Sequence, residues 1–260
     1  MTKPFVAFFK RLVPVFGASL FLILVSSHSI SASNPMSAST NKFFMTEPQA
    51  SLEVAIRAND AAGITRAIAA GAKVSAVGKQ DVTPLMIAVD AQQLESVVAL
   101  LRVGADPNAK AVDGNSPVSL ATESYRAKPN GDEILTVIMK AGGDPNARRP
   151  DRDPVVMRFI NDHDIGHLKR FKALGANLDI QDRSDDPLIT TVAMGQDWDV
   201  VWALIELGAR YDYENGASRR PISRALSLPY PAPDSPLYPY KLKVWQLMKD
   251  KGLPVKPLTP

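Results

Sequence analysis

The stretch TPLMIAVDAQQLESVVALLRVGADPNA, residues 83–109, contains one complete structural unit. Thr83 precedes Pro84, which is typical of a helix start, because threonine caps free backbone amides and proline suits the first helical position. Apolar residues at helical spacing then predict a second helix with one buried face; they are Leu94, Val97, Leu100 and Val103. Gly104 follows, and we expect it to end this helix in a left-handed conformation. The stretch therefore predicts two consecutive helices and a turn.

The same pattern recurs along the chain. Glycines that follow a predicted helix are spaced by 33, 38, 33, 33 and 44 residues, at Gly71, Gly104, Gly142, Gly175, Gly208 and Gly252. Prolines that begin a helix are spaced by 33, 37, 33 and 34 residues, at Pro84, Pro117, Pro154, Pro187 and Pro221. Two independent markers thus keep a period of about 33 residues, which indicates an internal repeat of about six units.

Side chains at the helix boundaries and on the second helices follow the repeat. The residues that precede the prolines are predicted helix caps in four units, namely Thr83, Ser116, Asp153 and Asp186, whereas Arg220 offers no cap. Two further second helices carry the apolar stripe, as Ile165, Leu168, Phe171, Leu174 and as Trp198, Val201, Leu204, Leu207. Trp245 matches Val97 in the last unit, so we expect it in the core. The first and last units are reduced, as is typical of the caps of an array.

These residues resemble the ankyrin-repeat family. Thr83-Pro84-Leu85 is similar to its Thr-Pro-Leu-His motif, with Met86 in place of histidine, and residues 104–109 match its Gly-Ala-Asp-x-Asn-Ala ending. Asp113-Gly114 resembles the tip of its hairpin. The resemblance covers residues 51–255, which we assign as the repeat domain, and residues 256–260 form a tail. It implies an all-α ankyrin-repeat solenoid of about six helix-turn-helix units with β-hairpin tips.

Two insertions interrupt the period, and both fall between the two helices of a unit. The first lies within Tyr125–Asn130 and the second within Leu228–Tyr240, a segment that contains five prolines and three tyrosines. So many prolines make the second insertion stiff and unable to continue a helix. It is interpreted either as a tolerated surface insertion or as an aromatic contact arm.

The first 33 residues have the organisation of a signal peptide. Lys3, Lys10 and Arg11 precede an apolar run from Leu12 to Val25, and small residues follow, which predicts cleavage near Ala32 or Ser33. The alternative is an uncleaved anchor, but the run is shorter than the roughly 20 residues that span a bilayer. We therefore predict a periplasmic protein without membrane insertion after cleavage. Residues 34–50 are polar and read as a flexible leader, in which Phe43 and Phe44 either dock on the first unit or stay disordered.

Removal of residues 1–33 leaves a chain with a net charge of zero. The whole sequence has 30 basic and 27 acidic residues, and residues 1–33 hold three of the basic ones, so 27 of each sign remain. A nucleic-acid partner is disfavoured, because such binding needs a basic face. With no cysteine in the sequence, disulfides, thiolate metal sites and cysteine nucleophiles are excluded.

The sequence offers little catalytic or metal-binding equipment. His163 and His167 have i, i+4 spacing, which on one helix would suit a metal. However, His163 aligns with the turn before the second helix, so we expect a capping or surface pair. No Gly-x-Ser-x-Gly motif accompanies these histidines and no glycine-rich phosphate loop is present. We therefore predict no enzyme activity, no cofactor and no metal.

The resemblance implies binding through the hairpin tips and the exposed face of the first helices, which form a concave surface. Counting from the proline of each unit gives its candidate contacts: Lys79, Gln80, Val82, Asp90, Asp113, Asn115, Glu123, Arg149, Arg152, Asn161, Asp182, Arg183, Asp185 and Met194. Arginine is enriched at binding hot spots, so the three arginines are the first choices.

Function is predicted from this surface. The first hypothesis is a non-catalytic protein–protein interaction module that binds an envelope protein and is a monomer when free. The alternative is an immunity protein that neutralises an antibacterial toxin, such as a secreted lipase effector. Onward secretion into a host cell and an enzyme built on the array are further readings.

Overall fold

The computed structural model of the chain describes residues 43–213 and 221–258. The predicted signal peptide, the leader before residue 43, Arg220 and the last two residues of the tail lie outside the described residues. The described part contains twelve α-helices and no strand: α1 Gln49–Arg57, α2 Ala61–Ala69, α3 Pro84–Asp90, α4 Leu94–Arg102, α5 Pro117–Ser124, α6 Gly131–Lys140, α7 Val156–Asn161, α8 Ile165–Ala173, α9 Leu188–Gly195, α10 Trp198–Glu206, α11 Ile222–Leu226 and α12 Tyr238–Asp250. None of these helices is long and apolar enough to cross a membrane.

The helices form six consecutive pairs, as the period predicts. Within the pairs α1 packs on α2, α3 on α4, α5 on α6, α7 on α8 and α9 on α10. Between units, first helices pack on first helices and second on second from unit 1 to unit 3 and from unit 5 to unit 6. In α3 the consecutive residues Leu85, Met86 and Ile87 are all buried, because this helix touches a neighbouring unit on both sides. The prediction of an all-α repeat of helix pairs is confirmed.

Left-handed residues end the helices where the sequence predicts them. All six marker glycines have positive φ, between 71° and 103°. A second set with positive φ occupies the turn between the two helices of a unit, where the residues are Asn59, Gln92, His163 and Gln196.

The tips between units are tight turns. In each described tip an amide donates to the carbonyl four residues later, from Gly78 to Val82, Ala111 to Asn115, Arg149 to Asp153 and Asp182 to Asp186, at 2.8–2.9 Å. Two tips add a single antiparallel bridge, between Arg148 and Pro154 and between Gln181 and Pro187. The β-hairpins are therefore not confirmed in the described residues.

Two of the four predicted caps are wrong. Thr83 caps α3 through its hydroxyl, and Ser116 forms a reciprocal capping box with Ser119. Asp153 and Asp186 do not cap α7 and α9. Pro154 and Pro187 lie five residues after the start of their tips, whereas the earlier prolines lie six residues after, so each aspartate falls inside the tip.

The apolar stripes are correct except at their ends. Val103 and Leu174 are exposed, because each lies at the last turn of its helix, next to the terminating glycine. Trp245 is half-buried and donates from Nε1 to the Lys256 carbonyl at 2.8 Å. Val244 and Met248 occupy the core of the last unit instead.

Residues 43–50 depart from the expected flexible leader. Phe43 and Phe44 are buried, and both of their amides donate to the carboxylate of buried Glu53, at 2.9 and 3.0 Å. The Phe43 carbonyl accepts from the Lys79 amide at 3.1 Å, an approach that requires glycine at position 78, where a Cβ would lie 2.7 Å from that carbonyl oxygen. The leader thus stands beside the first described tip, and α1 begins at Gln49.

Asparagine side chains connect successive units in a ladder. Asn108 donates to the Gly142 carbonyl at 2.9 Å and accepts from the Asp144 amide at 2.7 Å. Asn146 repeats both contacts with Gly175 and Asn177. At the N-terminal end Gln49 makes the equivalent pair of bonds with Lys73. The Asp-Pro-Asn turns that begin at Asp106 and Asp144 are therefore structural.

We expect Asn108→Ala to destabilise the array by about 1–2 kcal/mol, because it removes two inter-unit hydrogen bonds of about 0.5–1.5 kcal/mol each. Urea unfolding followed by circular dichroism measures this change. Asn177→Ala is the matched control, since that side chain accepts only the Asp179 amide within its own turn. Equal effects of the two variants would contradict a role for the ladder.

Candidate functional site

The candidate contacts lie on a surface formed by the tips and the ends of the first helices, here called the tip surface. The tips are joined directly, because the Val112 amide donates to the Gln80 carbonyl at 2.9 Å and the Arg183 amide donates to the Asp153 carboxylate at 2.9 Å. Exposed on this surface are Lys79, Gln80, Asp113, Arg152, Asn161, Arg183 and Asp185. Half-buried are Asp90, Asn115, Glu123, Arg149 and Met194.

Two candidates are buried and are corrected here. Val82 ends its tip with its side chain in the core. Asp182 accepts hydrogen bonds from the amides of Ser184 and Asp186 and from the Thr191 hydroxyl. Its carboxylate is therefore fully engaged within its own unit. Relative to their tips, Pro154 and Pro187 lie one position earlier than Pro84 and Pro117. Counting from them therefore selects a residue one position too early in units 4 and 5, which explains the choice of Asp182.

The same shift places Arg149 at the start of its tip, where it is held by internal ion pairs. Its guanidinium lies 3.0 Å from Glu123 and 2.8 Å from Asp151, and only 20% of the side chain is exposed. Arg158 joins this network, at 3.6 Å from Glu123 and 3.0 Å from Asp162. Arg149 therefore orders the surface between units 3 and 4 and offers little free area to a partner.

Arg152 and Arg183 are the accessible arginines of the tip surface. Arg152 has 70% of its side chain exposed and lies 3.5 Å from the equally open Asp185. Arg183 is 63% exposed, with its guanidinium 3.8 Å from Asp153. The exposed pair of Arg152 contributes little to stability, and the 3.8 Å contact of Arg183 is too long for a hydrogen bond, so both guanidinium groups are available for contacts outside the chain.

The two histidines do not share a site. His163 has left-handed backbone before α8 and contacts Asp197 and Asp199 of unit 5, at 3.5 and 3.2 Å. His167 lies within α8 and contacts Asp164 and Asp132 of unit 3, at 3.0 and 2.6 Å. No group of three or more histidine, aspartate or glutamate side chains that could hold a metal occurs among the described residues.

The first insertion completes a polar joint between units 3 and 4. Tyr125 is buried, and its hydroxyl lies 3.0 Å from Asp162 and 3.3 Å from Asp164. Its ring packs edge-on against Phe159 and His167. Burial, reinforced by the hydrogen bond to Asp162, raises the pKa of Tyr125. The insertion therefore fixes two units to each other.

The carboxylates of this joint are stabilised in their charged form. Although burial acts in the opposite direction, hydrogen bonds from His167 and Arg170 lower the pKa of Asp132. Burial likewise opposes, but the backbone amide and the imidazole of His167 lower the pKa of Asp164. Charge-assisted hydrogen bonds of this kind are the stronger ones in proteins.

Several members of these networks were not predicted. The spacing of Arg158 and Asp162, i, i+4 on α7, was a usable signal for an ion pair. The contacts of Glu123 with Arg149 and of Asp132 with His167 join different units, and nothing local in the sequence indicates them. Phe159, where ankyrin repeats have alanine, packs its ring against Tyr125, His167 and Phe171.

We expect acid to weaken the joint. The folded pKa values of Asp132 and Asp164 lie below their ordinary value of 3.8. The stability that these carboxylates contribute is therefore complete above about pH 5 and is lost as the pH falls through the folded pKa values. The variant His167→Gln should lose about 1 kcal/mol at pH 7 and show a shallower pH dependence between about pH 5 and 3. Urea unfolding across this pH series measures both; the control is Lys169→Gln, an exposed change on the same helix. An unchanged slope would contradict the assignment.

Comparison with known proteins agrees with this geometry. Residues 80–111 match the family model of the ankyrin repeat. The match spans the end of the first described tip, both helices α3 and α4 and the first residue of the next tip. A search of the curated proteins finds no match to the chain. Residues 80–111 are therefore an ankyrin repeat, and five further helix pairs of the described chain are built on the same plan.

Proposed function

We propose that this chain is a non-catalytic periplasmic module that binds an envelope protein through its concave ankyrin surface. Ankyrin repeats generally act as protein–protein interaction modules. The observation that carries the proposal is the tip surface itself, a row of hydrogen-bonded turns whose exposed residues come from successive units. A repeat array aligns equivalent side chains into one extended surface of this kind.

The order of the tip surface supports binding. Glu123 joins Arg149 and Arg158, and Asp153 joins one tip to the next, so the backbone beneath the exposed side chains is already fixed. Binding then costs less conformational entropy than ordering a loose loop. Arg152 and Arg183 lie on neighbouring tips and provide the planar, multidentate donors that protein hot spots favour.

The periplasmic assignment is supported by the first 33 residues, which have the organisation of a signal peptide. Mass spectrometry of the chain purified from its native host after subcellular fractionation tests it. We expect a new N-terminus near Ala32 or Ser33 in the periplasmic fraction. An intact N-terminus in the membrane fraction would show an anchor instead.

The binding surface is tested by purifying the tagged full-length protein from its native host. We expect a stoichiometric partner protein to be retained, and the double variant Arg152→Ala/Arg183→Ala to weaken retention at least tenfold, because hot-spot truncations cost about 1–2 kcal/mol or more each. Lys140→Ala, on the exposed end of α6, is the matched control. Circular dichroism confirms that each variant keeps its helices.

Retention that is unchanged in the double variant would exclude this surface. A hydrolase as the retained partner would support the immunity reading over a resident envelope protein, and its inhibition by the purified chain would then be measured. Complete absence of a partner in the periplasm would contradict the proposal.

A further inference from the structure

The second insertion forms an apolar projection at the last unit. Helix α11 ends at Leu226, with Ser227 as its C-cap, and α12 begins at Tyr238; the segment Leu228–Leu237 between them is here called the proline arm. Four of its ten residues are proline and only Asp234 is charged. In the whole chain 22% of residues are charged. The proline arm therefore has the charge-depleted composition that marks the core of a protein interface.

The apolar side chains of the proline arm face solvent. Tyr230 has 53% of its surface exposed. Pro229, Ala232, Pro233 and Pro236 are exposed as well. Contiguous exposed apolar residues are uncommon on monomeric proteins and mark contact sites.

A buried lysine holds this exposed segment in place. Lys241 of α12 is only 1% exposed, and its Nζ donates to the carbonyls of Leu228 at 2.6 Å and Tyr230 at 3.0 Å. The same ammonium lies 5.9 Å from the ring of Trp198. Burial lowers the pKa of Lys241.

The burial of the Lys241 ammonium carries a free-energy cost that a simple linker would not require. Burying an ammonium costs free energy that its hydrogen bonds must offset, and a surface insertion tolerated only for its neutrality needs no such group. Both acceptors are backbone atoms of the proline arm, so the ammonium fixes the chain on either side of Pro229 and leaves the Tyr230 ring outside.

The distal half of the proline arm is ordered by its own hydrogen bonds. The Ser235 amide donates to the Ala232 carbonyl at 2.9 Å, and the Ser235 hydroxyl accepts from the Leu237 amide at 3.2 Å. The Tyr238 amide then donates to the Ser235 carbonyl at 3.0 Å, where α12 begins. Few internal degrees of freedom remain to be lost on binding, which favours affinity.

We propose that the proline arm is a second contact surface, which places Tyr230 in an apolar pocket of the partner protein. Tyrosine suits this role, because its ring supplies contact area with few rotatable bonds and its hydroxyl bonds at the rim of a pocket. The inference rests on the proposed function only in requiring a protein partner. It does not require that the tip surface be the other contact.

Site-specific photo-crosslinking of the full chain in its native host tests both surfaces separately. Benzoylphenylalanine replaces Tyr230 on the proline arm, Asn161 on the tip surface or Lys140 as the control, and the crosslinked partner peptide is sequenced. We expect crosslinks from Tyr230 to apolar pocket residues of one partner, and none from Lys140.

The purified partner is then bound to arm variants. Tyr230→Ala should weaken binding about tenfold, whereas Tyr230→Phe should keep most of it. Lys241→Met should also weaken binding, and it retains a side chain of similar length to fill the core. Helical content by circular dichroism verifies that these variants are folded, so that lost binding is not lost structure.

The outcomes are distinguishable. Crosslinks from Asn161 without any from Tyr230 overturn the arm and leave the tip surface; the reverse result overturns the tip surface alone. Crosslinking of Tyr230 only to lipid, or unchanged affinity of Tyr230→Ala, overturns the protein pocket. Crosslinks from neither position overturn both proposals.

Discussion

Burial between neighbouring units is the constraint on which the rest of this structure depends. A pair of helices with about nine residues each cannot enclose its own apolar side chains, as the run Leu85, Met86 and Ile87 shows, since these point in different directions and are all buried. Each unit therefore needs a neighbour on both sides. The ends of the array solve the same problem differently, with Phe43 and Phe44 at one end and the residues beyond α12 at the other.

Polar contacts then set the register that burial alone leaves open. The ladder of Asn108 and Asn146 repeats one pair of hydrogen bonds from unit to unit, and Gln49 supplies the same pair in the first described unit. The tips add their own links through Gln80 and Asp153. The proposed binding depends on this register, because it places the exposed residues of successive units at equivalent positions.

The sequence predicts the period, the helix pairs and the left-handed glycines, since these depend on local backbone preferences. Predictions from the sequence fail where the spacing of the helix-start prolines does not match the hydrogen bonds that define the tips. Proline marks a helix start only to within two residues, and in units 4 and 5 it lies one position earlier in its tip than in units 2 and 3. Counting from it therefore turned buried Asp182 into a candidate contact. Pairing across units, as of Glu123 with Arg149, depends on tertiary geometry that no local pattern encodes. Similarly, Trp245 fits the helical stripe, but the chain beyond α12 covers it at the edge of the core.

The joint between units 3 and 4 is more heavily bonded than the described turns at either end. Tyr125 reaches Asp162 and Asp164, while His167 and Arg170 reach back to Asp132. In a linear array each unit opens only with the loss of contacts to its neighbours, so opening begins where those contacts are fewest. Helix-to-helix packing is sparser across this joint than among units 1 to 3, so these polar bonds carry more of the contact there. Loss of these bonds would therefore open the array at its middle, where the amide hydrogens of α7 and α8 would exchange with solvent sooner and a protease would cut near the first insertion.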